Sequence, residues 1–240
     1  MKKGTHSSPR QEVQVLIKEA SVIPIGDDNR TRRRTPVVTY AIIAVCVLVF
    51  LLELMQGDAF IEQWAFVPRR LETDPFLAIV TIFTSMFMHA GWLHLGGNML
   101  YLWIFGDNVE DRLGHGLFLV FYIVCGIAAT MAQYVFSMGS TIPNLGASGA
   151  IAGVLGAYIV MFPGRRVQML VGRSVVAMSA LAAIGIWIVL QIFAGIGQIA
   201  TSAQSDGGGV AYMAHIGGFV AGLALGYILG AARPQLPGPS

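Results

Sequence analysis

The chain has 240 residues, of which 55 % are hydrophobic and only 12 % charged, and its mean hydropathy is +0.67. A soluble domain carries about a quarter charged residues, so this composition excludes a water-soluble globule and predicts one polytopic membrane domain. The formal net charge of +2 gives no reason to expect a nucleic-acid partner; the distribution of the charges says more.

In chain order, residues 1–35 are polar and end in Arg30, Arg32, Arg33 and Arg34. That cluster is expected to keep the segment cytoplasmic and to attract anionic headgroups. No cleavable leader is expected, because the first apolar run starts only near Pro36 and lacks a small-residue cleavage pattern. The first span is predicted over about 36–56, followed by the stretch WAFVPRRLETDP at 64–75. Residues 76–106 are apolar almost throughout, too long for one span and too short for two with a loop. The break at Ala90-Gly91 predicts a short in-plane or re-entrant piece over 76–90, then a second span over 92–106. Irregular backbone at membrane depth is tolerated only against protein or a water cavity, which is a first hint of a wet site. Further spans are expected at about 116–136, 148–162, 175–195 and 210–231.

The expected architecture is thus an all-α membrane bundle of six helices over 36–232, with a partly embedded first loop. Cytoplasmic tails at 1–35 and 233–240 would flank it. Six spans bring both termini to one side; with that side cytoplasmic, thirteen of the fifteen Lys and Arg lie inside and only Arg69 and Arg70 outside. Cys46 and Cys125 sit in separate apolar runs and read as packing residues.

Few strongly polar residues fall within the spans: His94 and Asn98 in the second, Ser148 in the fourth and His215 in the sixth, with Glu53 near the outer end of the first. Intramembrane ionisable groups are expensive and call for a function. Ser148 lies 17 residues before Arg165, His215 lies 18 before Arg233 and His94 lies 18 before Arg112. At the helical rise these are all about 26–27 Å above their basic anchors, in a hydrocarbon core about 30 Å thick. The three side chains are therefore expected at one level, just below the outer surface, with Asn98 one turn deeper on the His94 face. Ala214, Gly218, Gly222, Gly226 and Gly230 form one small-residue stripe, and Gly149, Gly153, Gly156 and Ala157 another. Such faces let helix backbones approach closely in lipid and would bring Ser148 within hydrogen-bond reach of His215.

A serine hydroxyl needs a base to become a nucleophile, and an imidazole titrates in the right range. No Asp or Glu occurs in spans four or six, so a dyad is expected rather than a triad. The first amide N–H groups of the helix that Ser148 opens, with His94 and Asn98 four residues apart on one face, could stabilise an oxyanion. Water could enter through loop 137–147 and the Gly-rich stretch 206–209.

These residues resemble the rhomboid family of intramembrane serine proteases, over about residues 36–232. GASG at 146–149 resembles the family's GxSG nucleophile motif, AHIGGFVAG at 214–222 its AHxxGxxxG motif, and HAGWLHLGGN at 89–98 its HxxxxHxxxN motif. GDNVEDRLG at 106–114 resembles the E-x-x-x-G segment, through Glu110 and Gly114. The resemblance implies Ser148 and His215 as catalytic residues and Ser148, His94 and Asn98 as oxyanion stabilisers. His89, Gly146, Gly149, Gly218 and Gly222 would be structural residues near the site, His89 by fixing its loop. It implies transmembrane protein substrates, the lipid bilayer as surroundings, the cell (inner) membrane of a prokaryote as location, and neither cofactor nor metal. Two departures stand out. Val80 and Thr81 occupy the place of a Trp-Arg pair found in some members, and Ala152 replaces an aromatic that stacks on the histidine, a role Tyr212 could take. The competing readings are an inactive relative that binds membrane clients, a haem or metal protein using His94 and His215, and a transporter.

Overall fold

The computed structural model describes residues 22–28, 32–201 and 210–231; His6, Arg30, the stretch 206–209, Arg233 and the rest of the 233–240 tail lie outside them. The elements run β1 (Val22–Asp27), α1 (Val37–Gln56), α2 (Asp58–Trp64), α3 (Arg70–Thr73), α4 (Pro75–Thr84), α5 (Trp92–Tyr101), α6 (Asp107–Leu113), α7 (His115–Phe136), α8 (Ser148–Met161), β2 (Arg166–Val171), β3 (Ser174–Ser179), α9 (Ala180–Thr201) and α10 (Tyr212–Ala231). A short 3-10 turn at Ser85–Phe87 extends α4, and one π-helical stretch at Leu102–Gly106 joins α5 to α6.

Among the described residues, α1, α7, α9 and α10 are long and apolar enough to cross a membrane. The pair Pro75–Phe87 and Trp92–Leu113, bent by 78°, makes a fifth candidate span, and α8 is apolar but shorter. The sharp bend falls where Ala90-Gly91 interrupts the apolar run, so the two helical pieces meet nearly at right angles. Most of α8 is buried, including every residue from Gly149 to Tyr158, as expected of a helix apolar on all sides at the centre of a bundle. Its 14 residues span about 21 Å, less than the hydrocarbon thickness.

Near Arg165 the structure departs from the expected boundaries. Residues 174–179 form a strand, so α9 starts at Ala180 rather than near 175. Val171 pairs with Ser174 across a two-residue turn. Gly172 takes the first turn position with φ 60, a backbone state that favours glycine. The Val175-Val176 pair favours extended backbone despite the apolar run that follows. Residues 22–27, read in the sequence as part of a polar tail, add a third antiparallel strand on β2. Pro24 is accommodated because β1 is an edge strand, and a register shift lies between Pro24 and Gly26.

The same end is locked by buried carboxylates. Glu110, fully buried on α6, accepts from the Val38 and Thr39 backbone N–H groups at 2.9 and 2.7 Å and from the Thr39 hydroxyl at 2.7 Å. Pro36 offers α1 no side-chain cap, so Glu110 satisfies its orphan donors from another helix. His115 Nδ1 lies 2.6 Å from the same carboxylate, and Gly114 turns the chain between α6 and α7 with φ 78. Arg32 donates to Asp107 at 2.7 Å, while Asp111 accepts from the backbone N–H groups of Arg33 and Arg34. Asp27, on β1, accepts from the Tyr158 hydroxyl at 2.7 Å and from Asn108 at 2.8 Å, tying the sheet to α8.

Replacing Glu110 with Ala strands several buried donors, each worth about 1–3 kcal/mol when unmet. Glu110→Ala should lower the unfolding free energy by about 3 kcal/mol in a denaturant titration of the detergent-solubilised protein, and Glu110→Gln by less. Burial pushes the Asp27 carboxyl up to about 6, against the opposing effect of the Tyr158 hydroxyl. The folded chain then holds this proton more tightly than the unfolded one, whose carboxyl titrates near about 3.9. Stability relative to Asp27→Asn should fall as pH rises from about 4 to about 6 and stay level above, as read from paired thermal melts.

Candidate active site

α8 and α10 meet along their glycines. A methyl built on Gly218 would overlap the Gly149 carbonyl oxygen, and one on Gly222 the Gly153 carbonyl. One on Gly226 would lie 2.6 Å from the Ala157 Cα. The two small-residue stripes thus face each other backbone to backbone, closer than any side chain larger than hydrogen permits. Gly149 and Gly153 also receive α7, through Ala129 and Cys125.

This approach carries Ser148, the first residue of α8, to His215, in the first turn of α10. The Ser148 Oγ lies 2.7 Å from His215 Nε2. His215 is 8 % exposed, whereas Ser148 remains half-buried, so the imidazole is sheltered while the hydroxyl can be reached. The start of α10 is further fixed by Gln133 of α7, which accepts from the Ala214 N–H at 3.3 Å.

His94 and Asn98 come from α5, on the other side of Ser148. The Ala90 N–H donates to His94 Nδ1 at 3.3 Å, which leaves the ring proton of a neutral imidazole on Nε2. That nitrogen faces Gly146: a methyl there would lie 3.0 Å from His94 Nε2 and 3.6 Å from Ser148 Oγ. Gly146 has φ 137, so glycine is favoured by conformation as well as by space. Its missing side chain leaves a gap between the His94 donor and the serine oxygen. One turn on, Asn98 is buried and its Nδ2 makes no hydrogen bond.

Several contacts hold these parts in register. The Gly146 N–H donates to the Ser85 carbonyl at 2.9 Å, joining the 3-10 turn after α4 to the loop before Ser148. Phe66 and Asn144 exchange backbone hydrogen bonds of 3.1 and 2.7 Å. Arg70 donates to the carbonyls of Glu62, Gln63 and Ala65 at the end of α2. The first loop is therefore anchored by Phe66 and Arg70, while Thr81 bonds within its own helix to the Ala78 carbonyl. Glu53 does not turn to the interface: it is 4 % exposed, and its carboxylate accepts from the His89 N–H at 3.2 Å. His89 is thus tied to α1 by its backbone, and its buried ring stands edge-on to His94, with centroids 5.2 Å apart.

Two neighbours of His215 escaped the reading of the sequence. Gln191 Oε1 lies 2.7 Å from its Nδ1, and the Trp187 ring packs on it at 5.7 Å between centroids. Both come from α9. The ring against His215 is therefore that of Trp187 rather than Tyr212, and Ala152 is fully buried in α8. The available signal was an amide inside the apolar run IGIWIVLQIF, with an aromatic one turn before it.

The family model for the rhomboid domain matches residues 78–232. Rhomboid protease GluP of Bacillus subtilis (strain 168) is 33 % identical over 197 residues, 80 % of this chain and 35 % of the relative. Rhomboid protein 1, mitochondrial, of Saccharomyces cerevisiae is 29 % identical over 198 residues, 80 % of this chain and 53 % of the relative. Rhomboid protease GlpG of Salmonella choleraesuis (strain SC-B67) is 28 % identical over 201 residues, 82 % of this chain and 64 % of the relative. The chain spans less than two thirds of the length of each of these relatives.

Proposed function

This chain, an integral membrane protein, belongs to the rhomboid family, and we propose that it is an intramembrane serine endopeptidase acting on transmembrane proteins. The observation that carries this reading is the 2.7 Å contact between Ser148 Oγ and His215 Nε2, at the buried start of an apolar helix. In the proposed reaction Ser148 Oγ attacks a substrate carbonyl carbon and its proton passes to His215 Nε2. The carbonyl oxygen becomes an oxyanion, which accepts hydrogen bonds from the His94 Nε2–H, the Asn98 Nδ2 amide and the amide N–H groups opening α8. His215 then gives its proton to the leaving amine as the C–N bond breaks, leaving an acyl ester on Ser148. Water, deprotonated by the same imidazole, hydrolyses the ester and restores the hydroxyl.

We also infer the finer architecture. α1, the bent pair ending in α5–α6, α7, α8, α9 and α10 serve as six spans, with α4 re-entrant on the outer side. The end that carries Arg32 to Arg34, Arg112, Arg165, Arg166 and Arg173 would face the cytoplasm, and the opposite end only Arg69 and Arg70. In this arrangement, fitting a prokaryotic cell membrane, Ser148 opens toward the outer leaflet. A substrate helix shields its own peptide bonds, so it must unwind locally before a carbonyl reaches Ser148. Segments rich in small, helix-weakening residues such as Gly therefore suit the site.

A fluorophosphonate probe should label the purified protein, and Ser148→Ala should abolish labelling together with cleavage of a model transmembrane substrate in proteoliposomes. His215→Ala should abolish cleavage with a thermal melt close to wild type. A folded wild type that binds such substrates without labelling or cutting would instead mark an inactive client-binding relative. Asn98→Ala should reduce kcat by about 2.7–4 kcal/mol in barrier, or 10²–10³-fold, if its donor acts like other oxyanion-hole contacts; an unchanged kcat would remove Asn98 from that role.

A further inference from the structure

We propose that Gln191 and Trp187, one turn apart on α9, are positioning residues that hold His215 in the tautomer and orientation a general base requires. The proposal rests on the reading of Ser148 as nucleophile and His215 as base. For Nε2 to take the serine proton, the neutral ring must carry its own proton on Nδ1. An acceptor must then face Nδ1, and spans four and six hold no carboxylate to serve as one. Gln191 Oε1 stands there at 2.7 Å, on the side of the ring opposite the 2.7 Å contact to Ser148. The carbonyl oxygen accepts the same Nδ1–H in the neutral ring and in the imidazolium, so no rearrangement accompanies proton transfer.

The second contact restrains rotation. Trp187 lies against the imidazole at 5.7 Å with 39° between planes. At position 152 of α8 there is only a buried methyl, which cannot provide a ring. Positions 187 and 191 share one face of a helix, along with Gly195, where a methyl would meet Met213 and Tyr212 of α10. That face of α9 is therefore seated on the start of α10. The remaining surface of the helix faces outward: 17 % of its span is inside the bundle, against 28–33 % for the other long spans. A neutral amide suits this place, because an ionisable carboxylate beside the imidazole at this depth would be costly.

The test compares Gln191→Met, which keeps the volume but removes the acceptor, with Gln191→Glu, which keeps an acceptor. Gln191→Met should slow fluorophosphonate labelling and kcat alike by about tenfold or more, with KM little changed. Gln191→Glu should restore labelling and move the acid limb of the pH–rate profile upward, because a carboxylate favours the imidazolium. Trp187→Phe should label faster than Trp187→Leu. Wild-type labelling in Gln191→Met, or an unmoved acid limb in Gln191→Glu, would overturn the proposal. The ring nitrogens of His215, read by ¹⁵N NMR and assigned by loss of signal in His215→Ala, decide independently of turnover. A proton on Nδ1 in the wild type that Gln191→Met displaces supports the proposal, and a wild-type proton on Nε2 refutes it. A wild type that neither labels nor cleaves but shows the Nδ1 proton would sink the protease reading alone.

Discussion

The site depends on how closely two helix backbones approach. In lipid no hydrophobic force drives helices together, so contact has to come from packing and from removing side chains that keep backbones apart. α8 and α10 achieve it by opposing glycines: Gly218 lies on the Gly149 carbonyl and Gly222 on that of Gly153. Because both stripes recur every four residues, the contact fixes rotation and register as well as distance. Ser148 and His215 then meet at 2.7 Å.

The surrounding polar contacts preserve that register from both ends of the bundle. Glu110 holds the start of α1 against α6, and Glu53, near the other end of α1, holds the His89 backbone beside α5. One helix is thereby fixed at both ends to the segment that presents His94 and Asn98. The Gly146 to Ser85 hydrogen bond links that segment to the loop entering α8. The buried Glu110 carboxylate is tolerated because it accepts from several donors that would otherwise be unsatisfied, whereas among the described residues Glu53 accepts from the His89 N–H alone. Asp27 extends the same logic to β1, joining the three-stranded sheet to the far end of α8 through Tyr158.

The imidazole is held differently. Its Nε2 side belongs to the α8–α10 contact, but its Nδ1 side and one face belong to α9. α9 contributes little to the glycine core and is the least buried of the long spans. The contact that brings Ser148 to His215 and the contacts on the far side of that imidazole therefore belong to different parts of the bundle.

Much of the architecture was legible in the chain because membrane helices leave plain signatures. Length and hydropathy marked α1, α7 and α10 closely, the Ala90-Gly91 break marked the bend, and depth counting with small-residue periodicity anticipated that Ser148 and His215 would meet. The start of α9 was misjudged because apolar strand residues 175–179 continue without interruption into an apolar helix. Extended pairing needs a partner strand: β3 pairs with β2 across the Gly172 turn, and β2 in turn with β1, more than a hundred residues away. The neighbours of His215 were hidden for a similar reason. Helical spacing says which residues share a face of α9, but not which helix that face will meet. By itself, then, the sequence marked the apolar helices, the few polar residues within them and the stripes that permit contact, all local or periodic properties. The tertiary structure alone decided that Gln191 and Trp187 stand against the imidazole, that Glu110 caps α1 and that β1 joins the hairpin, since each joins distant segments with no shared period.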